Sequence, residues 1–473
     1  MSAVFRLSAL ATSLALAACA VGPDYERPAS VVSARFARDE SQAMQHDAAP
    51  AGTSADADAA FWRGFGDPAL TRLIDAALAA NQDLQLAVSR YDASNALLRE
   101  TRFDQIPTIT ASGQIGHRLT SKDQAFGAPR DQRDKPTSSV GINAAWELDL
   151  FGRVRRAVEA QRAETAASAA DVRALRIAIA GEVARAYVDL RGSQERLRIA
   201  RENADNQRQT LALIDARARA QVESTTSRIA VYEAAIGVDE HRLAVLTGQP
   251  PGALIGELDA PAPLPALVAD IDPGTPGDLL RRRPDVAAAE ARLHAATARV
   301  GVATADLFPR FTLTGLLGSM TSSYGFFRSG SDTNLIALGV DWSFLDVGRV
   351  RARLAANNAD AAGQLAQYRQ TVLGALEETE NALLRVARTR DETAHLERAA
   401  TDSARAAQLA HARFTAGAID YYEVLDAERT LLQAQDAAAD GRLRSADATV
   451  ALYKALAGGW PSGAGRDAPI ARR

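Results

Sequence analysis

Asp104-Gln105-Ile106-Pro107, followed by Thr110 and Gly113, returns 202 residues later as Asp306-Leu307-Phe308-Pro309, followed by Thr312 and Gly315. Trp146 and Phe151-Gly152-Arg153-Val154-Arg155 return as Trp342 and Val347-Gly348-Arg349-Val350-Arg351 at a spacing of 196, so the second copy is six residues shorter between the two landmarks. That difference is expected in a loop. Each copy reads as helix, strand, loop, strand, very long helix, turn, helix. A repeat of this kind does not bury its apolar face alone, which predicts one unit built from both copies.

Composition narrows the class. A chain of 473 residues would ordinarily split into two or three domains, but only one proline-rich joint separates the copies. Aromatic residues make up 5%, and Gly and Pro gather at a few places, which favours long helices over a mixed core. The net charge is −4 and lysine occurs only at 122, 135 and 454. The arginines alternate with acids along helices and form no basic face, which argues against nucleic acid. His46, His117, His241, His294, His395 and His411 lie far apart without metal-ligand spacing. There is no phosphate-binding loop and no nucleophile elbow, and Glu377-Glu378 with Glu380 reads as a solvated or lumen-facing patch. No enzyme and no cofactor are expected.

The N-terminus carries one positive charge in Met1–Arg6, then an apolar run from Leu7 to Ala15, then Leu16-Ala17-Ala18-Cys19 around the only cysteine. The run is too short to span a bilayer and reads as a secretory signal. Leu16, Ala17, Ala18 and Cys19 resemble a bacterial lipobox, which implies signal removal over 1–18 and acylation of Cys19. Ala20 follows, where Asp would typically retain such a lipoprotein in the inner membrane, so the outer membrane is the expected address. Residues 19–60, rich in Ala, Ser, Asp and Gln, read as an extended lead-in.

Order is expected from Phe61-Trp62 onward. Asp67-Pro68 caps a helix in which Leu70, Leu73, Ile74, Ala77, Leu78 and Asn81 keep helical spacing, running to about Gln105. Its counterpart runs from Leu279 to Asp306. Ile109, Ala111, Gly113 and Ile115 interleave with polar residues, and the return strand lies near Val140–Leu148; the second copy repeats this near Phe311–Leu317 and Leu335–Phe344. Alternating strands of about ten residues flanked by aromatics match membrane β-strands. A bilayer admits only helices and closed barrels. Four strands per chain cannot close, so a pore predicts an oligomer, most simply a trimer with twelve strands.

From Gly348 to Ala416 there is no proline and only Gly363 and Gly374 as glycines, a helix of roughly 100 Å at the usual rise. Leu365, Tyr368, Val372, Ala375, Thr379, Ala382 and Val386 form a coiled-coil seam, matched by Val172, Ile179, Val183, Ala186 and Leu190. The second rod ends in a turn with Phe414, Gly417, Tyr421 and Tyr422, where Gly417 stops the helix and Asp420 caps the next. In the first copy Arg219–Glu223 stands where that turn is expected, without glycine. The return from Ile229 to Gly248 then falls about 15 residues short of its counterpart, about four turns. The expected boundaries are 61–248 for the first repeat, 249–278 for the joint, 279–459 for the second repeat and 460–473 for a loose tail.

Val21-Gly22-Pro23-Asp24-Tyr25, Trp62 with Phe65 and Asp67-Pro68, Arg283-Pro284-Asp285-Val286, Asp306-Leu307-Phe308-Pro309 and the Phe414/Gly417/Val424-Leu425-Asp426 turn resemble the TolC-like outer-membrane efflux family, in its lipoprotein (NodT-type) branch. The resemblance spans residues 16 to 460. It implies a mainly α chain with a membrane β-barrel: a homotrimer with a twelve-stranded barrel in the outer-membrane lipid and a periplasmic α-barrel of long helices. The implied function is the exit duct of a tripartite efflux pump, joined through a periplasmic adaptor (membrane fusion) protein to an inner-membrane transporter and passing drugs or toxic compounds. The alternatives are a protein-secretion duct or a non-conducting coiled-coil envelope lipoprotein. Glu423 and Asp426 match the acidic constriction of better-known family members and are the candidate periplasmic gate; the alternative is that Asp426 pairs with Arg429, three residues on, along an exposed helix face.

Overall fold

The computed structural model describes residues 20–29, 33–37, 58–211, 216–265 and 273–457. Leu16, Ala17, Ala18 and Cys19, most of the lead-in and the tail lie outside the described residues. The first repeat contains α1 (Pro68–Ala80), α2 (Gln82–Phe103), β1 (Thr108–Leu119), β2 (Asp134–Leu148), α3 (Arg153–Leu211) and α4 (Ala216–Leu246). The second contains α5 (Pro276–Arg282), α6 (Pro284–Ala305), β3 (Arg310–Thr321), β4 (Asp332–Asp341), α7 (Val347–Thr415) and α8 (Tyr421–Ala455). Among the described residues no helix is long and apolar enough to cross a membrane.

Two corrections concern the helices before the strands. The helix expected from Asp67 to Gln105 is broken at Asn81, and its counterpart is broken at Arg283, 202 positions on. Both residues adopt extended backbone, with ψ of 130° at Asn81 and 120° at Arg283. Each then holds the end of the returning helix of its own repeat. Asn81 Nδ2 donates to Leu246 O at 3.0 Å, and Arg283 Nη1 donates to Ala455 O at 2.7 Å. Asn81 Oδ1 also accepts from the N–H groups of Asp83 and Leu84, capping α2. Pro284 disfavours helical backbone at Arg283. The apolar spacing runs through both breaks, which is why periodicity did not reveal them.

A third correction concerns the first-repeat turn. Arg219–Glu223 lies inside α4, because no Gly or Pro between 216 and 226 stops the helix; residues 212–215, between α3 and α4, lie outside the described residues. α4 has 31 residues against 35 in α8, so the returning helix is shorter by four and not by about 15. The larger difference is outbound, 59 residues in α3 against 69 in α7.

The described residues divide into two compact units, those within 1–29, 90–169 and 288–369 forming the first and those within 30–89, 170–287 and 370–473 the second. Each draws on both repeats, since α3 and α7 each contribute to both units. The first unit contains one antiparallel sheet in the order β1-β2-β3-β4. Its loops, 120–133 and 322–331, take most of the length difference between copies. In the second unit the predicted seams are buried: Val183 and Leu190 are 0% exposed, and Val372, Ala375, Thr379, Ala382 and Val386 are all buried. Phe36 joins Leu279, Val386 and Leu452 in one apolar cluster. Tyr187 lies buried with its hydroxyl donating to Asp67 Oδ2 at 2.7 Å, the same carboxylate whose Oδ1 caps α1.

Candidate functional site: membrane strands, N-terminal arm and helical turn

The strand register sorts the side chains. Ile109 lies opposite Ala144, Ala111 opposite Ile142, Ile142 opposite Leu317, Trp146 opposite Leu313, and Leu313 opposite Leu338. With a period of two, these residues and Ile115, Ile336, Val340 and Trp342 share one face. Ile109, Leu317 and Ile336 on that face are 70%, 68% and 84% exposed. Such a surface is unfavourable in water and suited to hydrocarbon. The other face carries Thr108, Thr110, Ser112, Gln114, Ser139, Asn143, Thr312 and Thr314. β1 and β4 each have one strand partner, so both outer edges carry unpaired backbone groups among the described residues.

At the foot of the strands both repeats use the same bond. Trp146 Nε1 donates to Gln105 O and Trp342 Nε1 to Leu307 O, each at 3.1 Å. Phe151 and Phe308 stack there with centroids 4.7 Å apart. The N-terminal arm is seated beside them. Val21 N–H donates to Phe151 O at 3.1 Å. Gly22 has φ +95°, and a Cβ on it would fall 2.6 Å from the Gly301 Cα, so the crossing tolerates no side chain at that point. Arg156 Nη2 then meets Asp24 at 2.5 Å and its Nη1 meets Glu159 at 2.8 Å. His294 Nε2 lies 2.8 Å from Glu159 and its ring stacks on Tyr25 at 4.4 Å. Tyr25 and Arg27 both reach Glu290. Burial pushes the Glu159 carboxyl up, but hydrogen bonds from His294 and Arg156 outweigh it and hold it below the usual range. Val21–Tyr25 was legible as a family signature; its seat was not, because the partners lie more than 120 positions away.

The turn between α7 and α8 follows its local chemistry. Gly417 has φ +70°, Gly417 N–H donates to Phe414 O and Ala418 N–H to Arg413 O, the two bonds of a glycine-terminated helix end. Asp420 accepts from Glu423 N–H at 3.2 Å and starts α8. Phe414 and Tyr421 meet edge to face at 5.3 Å, Val424 is fully buried and Tyr422 is half exposed. Glu423 and Asp426 are both exposed, but Asp426 is paired with Arg429 at 2.6 Å. The turn therefore brings Phe414 and Tyr421 together and leaves the two candidate gate acids as separate surface groups. Among the described residues no group of three or more His, Cys, Asp or Glu is placed to hold a metal ion.

A family model described as outer membrane efflux protein matches residues 73–248 and 275–458. The chain is 33% identical to the outer membrane protein OprJ of Pseudomonas aeruginosa over 97% of both chains. It is 30% identical to nodulation protein T of Rhizobium leguminosarum bv. trifolii over 89% of this chain and 90% of that one. The solved outer-membrane channel OprN matches with a TM-score of 0.83 at 37% identity, covering 94% of this chain and all of that one. Repeat, strand faces and family model agree: the chain belongs to the outer membrane efflux protein family and is the outer-membrane exit duct of an efflux system.

Proposed function

We propose that three copies of this chain close a twelve-stranded barrel, anchored through acylated Cys19, and passively conduct small drugs and toxic compounds delivered by a periplasmic adaptor and an inner-membrane transporter. The observation that carries this is the four-stranded sheet with one apolar exposed face and two open edges. In hydrocarbon those edges must pair, and one chain supplies no further strand among the described residues. The detergent-extracted protein is expected at about 150 kDa, three times the 50.2 kDa chain. A monomer by light scattering that still conducts ions refutes the assembly. Cys19→Ser is expected to abolish incorporation of labelled palmitate; equal incorporation by wild type and variant removes the anchor.

The gate assignment rests on Glu423 and Asp426 at the start of α8. Three-fold symmetry repeats both acids in a ring, which attracts cations. The Asp426–Arg429 pair weakens the contribution of Asp426 and leaves Glu423 as the stronger member. In planar bilayers Glu423→Gln with Asp426→Asn is expected to raise conductance and lower cation preference. Unchanged currents from a trimeric variant place the constriction elsewhere.

A further inference from the structure

We infer that the second repeat carries a binding cavity for a phosphate group at the foot of its strands, built by Arg299, Arg310 and Arg353 around Asp306. A cavity of about 450 Å³ opens there, lined from α2, α3, α6, α7 and the start of β3. Asp306 is the anchor: its side chain is 8% exposed and it accepts from two guanidiniums, Arg310 Nη2 at 2.5 Å and Arg353 Nη1 at 3.1 Å. One guanidinium neutralises one carboxylate, so the second is surplus. Arg299 Nη2 meets Glu164 at 2.9 Å. Arg153, also in the lining, is held by both nitrogens on Glu147 and adds no free charge. Four arginines against Asp306, Glu147 and Glu164 leave one net positive charge. Each guanidinium has five N–H groups in a planar fork suited to phosphate oxygens, and Arg299, Arg310 and Arg353 remain 44%, 41% and 57% exposed.

The first repeat serves as an internal control. At the equivalent positions it has Leu97, Thr108 and Ala157, and its Asp104 is exposed. Yet it forms the same turn and the same tryptophan bond, Trp146 to Gln105 O as Trp342 to Leu307 O. The turn therefore does not require the arginines, and their convergence in one copy calls for another cause. The level of the cavity suggests one. It lies in the turn that receives the Trp342 indole, and aromatic girdles of membrane strands sit at headgroup depth. A lipid phosphodiester and a free phosphate present the same oxygens to such a site.

The test uses the full chain in detergent and in nanodiscs. Inorganic phosphate is expected to broaden its ³¹P resonance on addition of the protein, and phosphatidylglycerol from nanodiscs is expected to be retained in native mass spectra if the source is lipid. Arg299→Leu with Arg353→Ala gives the second repeat the residues of the first at two of the three positions while leaving Arg310 to neutralise Asp306. This variant is expected to bind about tenfold more weakly or less, the value of a lost charge-assisted hydrogen bond. Arg353→Ala alone is the second variant should the double one lose its heat-modifiable gel mobility. Phosphate broadening without lipid retention assigns the site to a free ligand, and lipid retention assigns it to a headgroup. Absence of both in wild type, or equal binding by a folded variant, overturns the site. Conductance measured on the same samples tests the duct reading separately.

Discussion

Asp436 and Asp447 lie three turns apart on α8 and both meet helices of the first repeat, but the first repeat answers them in opposite ways. Asp436 accepts from Arg196 of α3 at 3.0 Å, and from Arg228 and Tyr232 of α4 at 3.2 and 2.8 Å. Asp440, one turn on, takes the other end of Arg196 at 3.0 Å. Asp447 instead shares a hydrogen bond with Asp189 of α3 and feels the charge of Asp239 of α4, while its Oδ1 is buried without a partner. Arg185, a cation that acts on the pair, is 72% exposed and 3.7 Å from Asp189. The same residue type on one helix thus meets cations from the first repeat at one level and acids at the next.

The two carboxyls shift in opposite directions. Burial pushes Asp436 up, but the bonds from Arg196 and Tyr232 outweigh it and hold it below the ordinary range. Its contribution is present above that range and is lost as pH falls through the folded value. Burial, then the Asp189 charge, pushes Asp447 up to about 7, and Asp239 is raised to about 7 by the same two causes. Their protonated forms suit the folded state, so that stability is complete below the ordinary carboxylate range and is lost as pH rises through about 7.

Removing the matched carboxylate is expected to have the largest effect. Asp436→Ala removes the carboxylate that Arg228 and Tyr232 meet and leaves Arg196 with Asp440 alone, about 2–3 kcal/mol, less than for a fully buried pair because these groups keep some solvent. Chemical denaturation near neutral pH measures it, and a loss under about 0.5 kcal/mol, the scatter of neutral surface changes, removes the contrast between the two sites. Asp447→Asn should do the reverse. The variant is expected to melt a few degrees above wild type near pH 8 and to gain nothing near pH 5, on either side of the value of about 7. A wild-type melting temperature that stays flat between those conditions refutes the shared proton. The smallest effect is expected from Arg185→Gln. Its own end of the pair with Asp189 is exposed and the pair is long at 3.7 Å, so stability should change by under about 1 kcal/mol, with any loss confined to the alkaline side. A larger loss would make Arg185 the true partner of the acid cluster.

Much of the fold was legible because it is periodic. The alternation of Ile109, Ala111, Gly113 and Ile115 placed β1 and its apolar face, and the spacing from Tyr368 to Val386 placed a seam that is buried throughout. Gly417 and Asp420 ended one helix and began the next through bonds made within five residues. The turn of the first repeat was misplaced for the same reason. Without a glycine the stretch Arg219–Glu223 has no local stop, and helix is its local answer.

Sequence by itself therefore determined the strands, the coils and the second turn, since each rests on residues a few positions apart, and the repeat, since its landmarks return in the same order 202 and 196 positions on. Only the tertiary structure decided that Asn81 and Arg283 break their helices, because the carbonyls they hold belong to Leu246 and Ala455, more than 160 positions away. It alone seated Gly22 on Gly301 and gave Asp436 cations and Asp447 acids. The physical reason is that a side chain's charge, burial and hydrogen bonds are set by its neighbours in space, and for these residues the neighbours come from distant segments or from the other repeat.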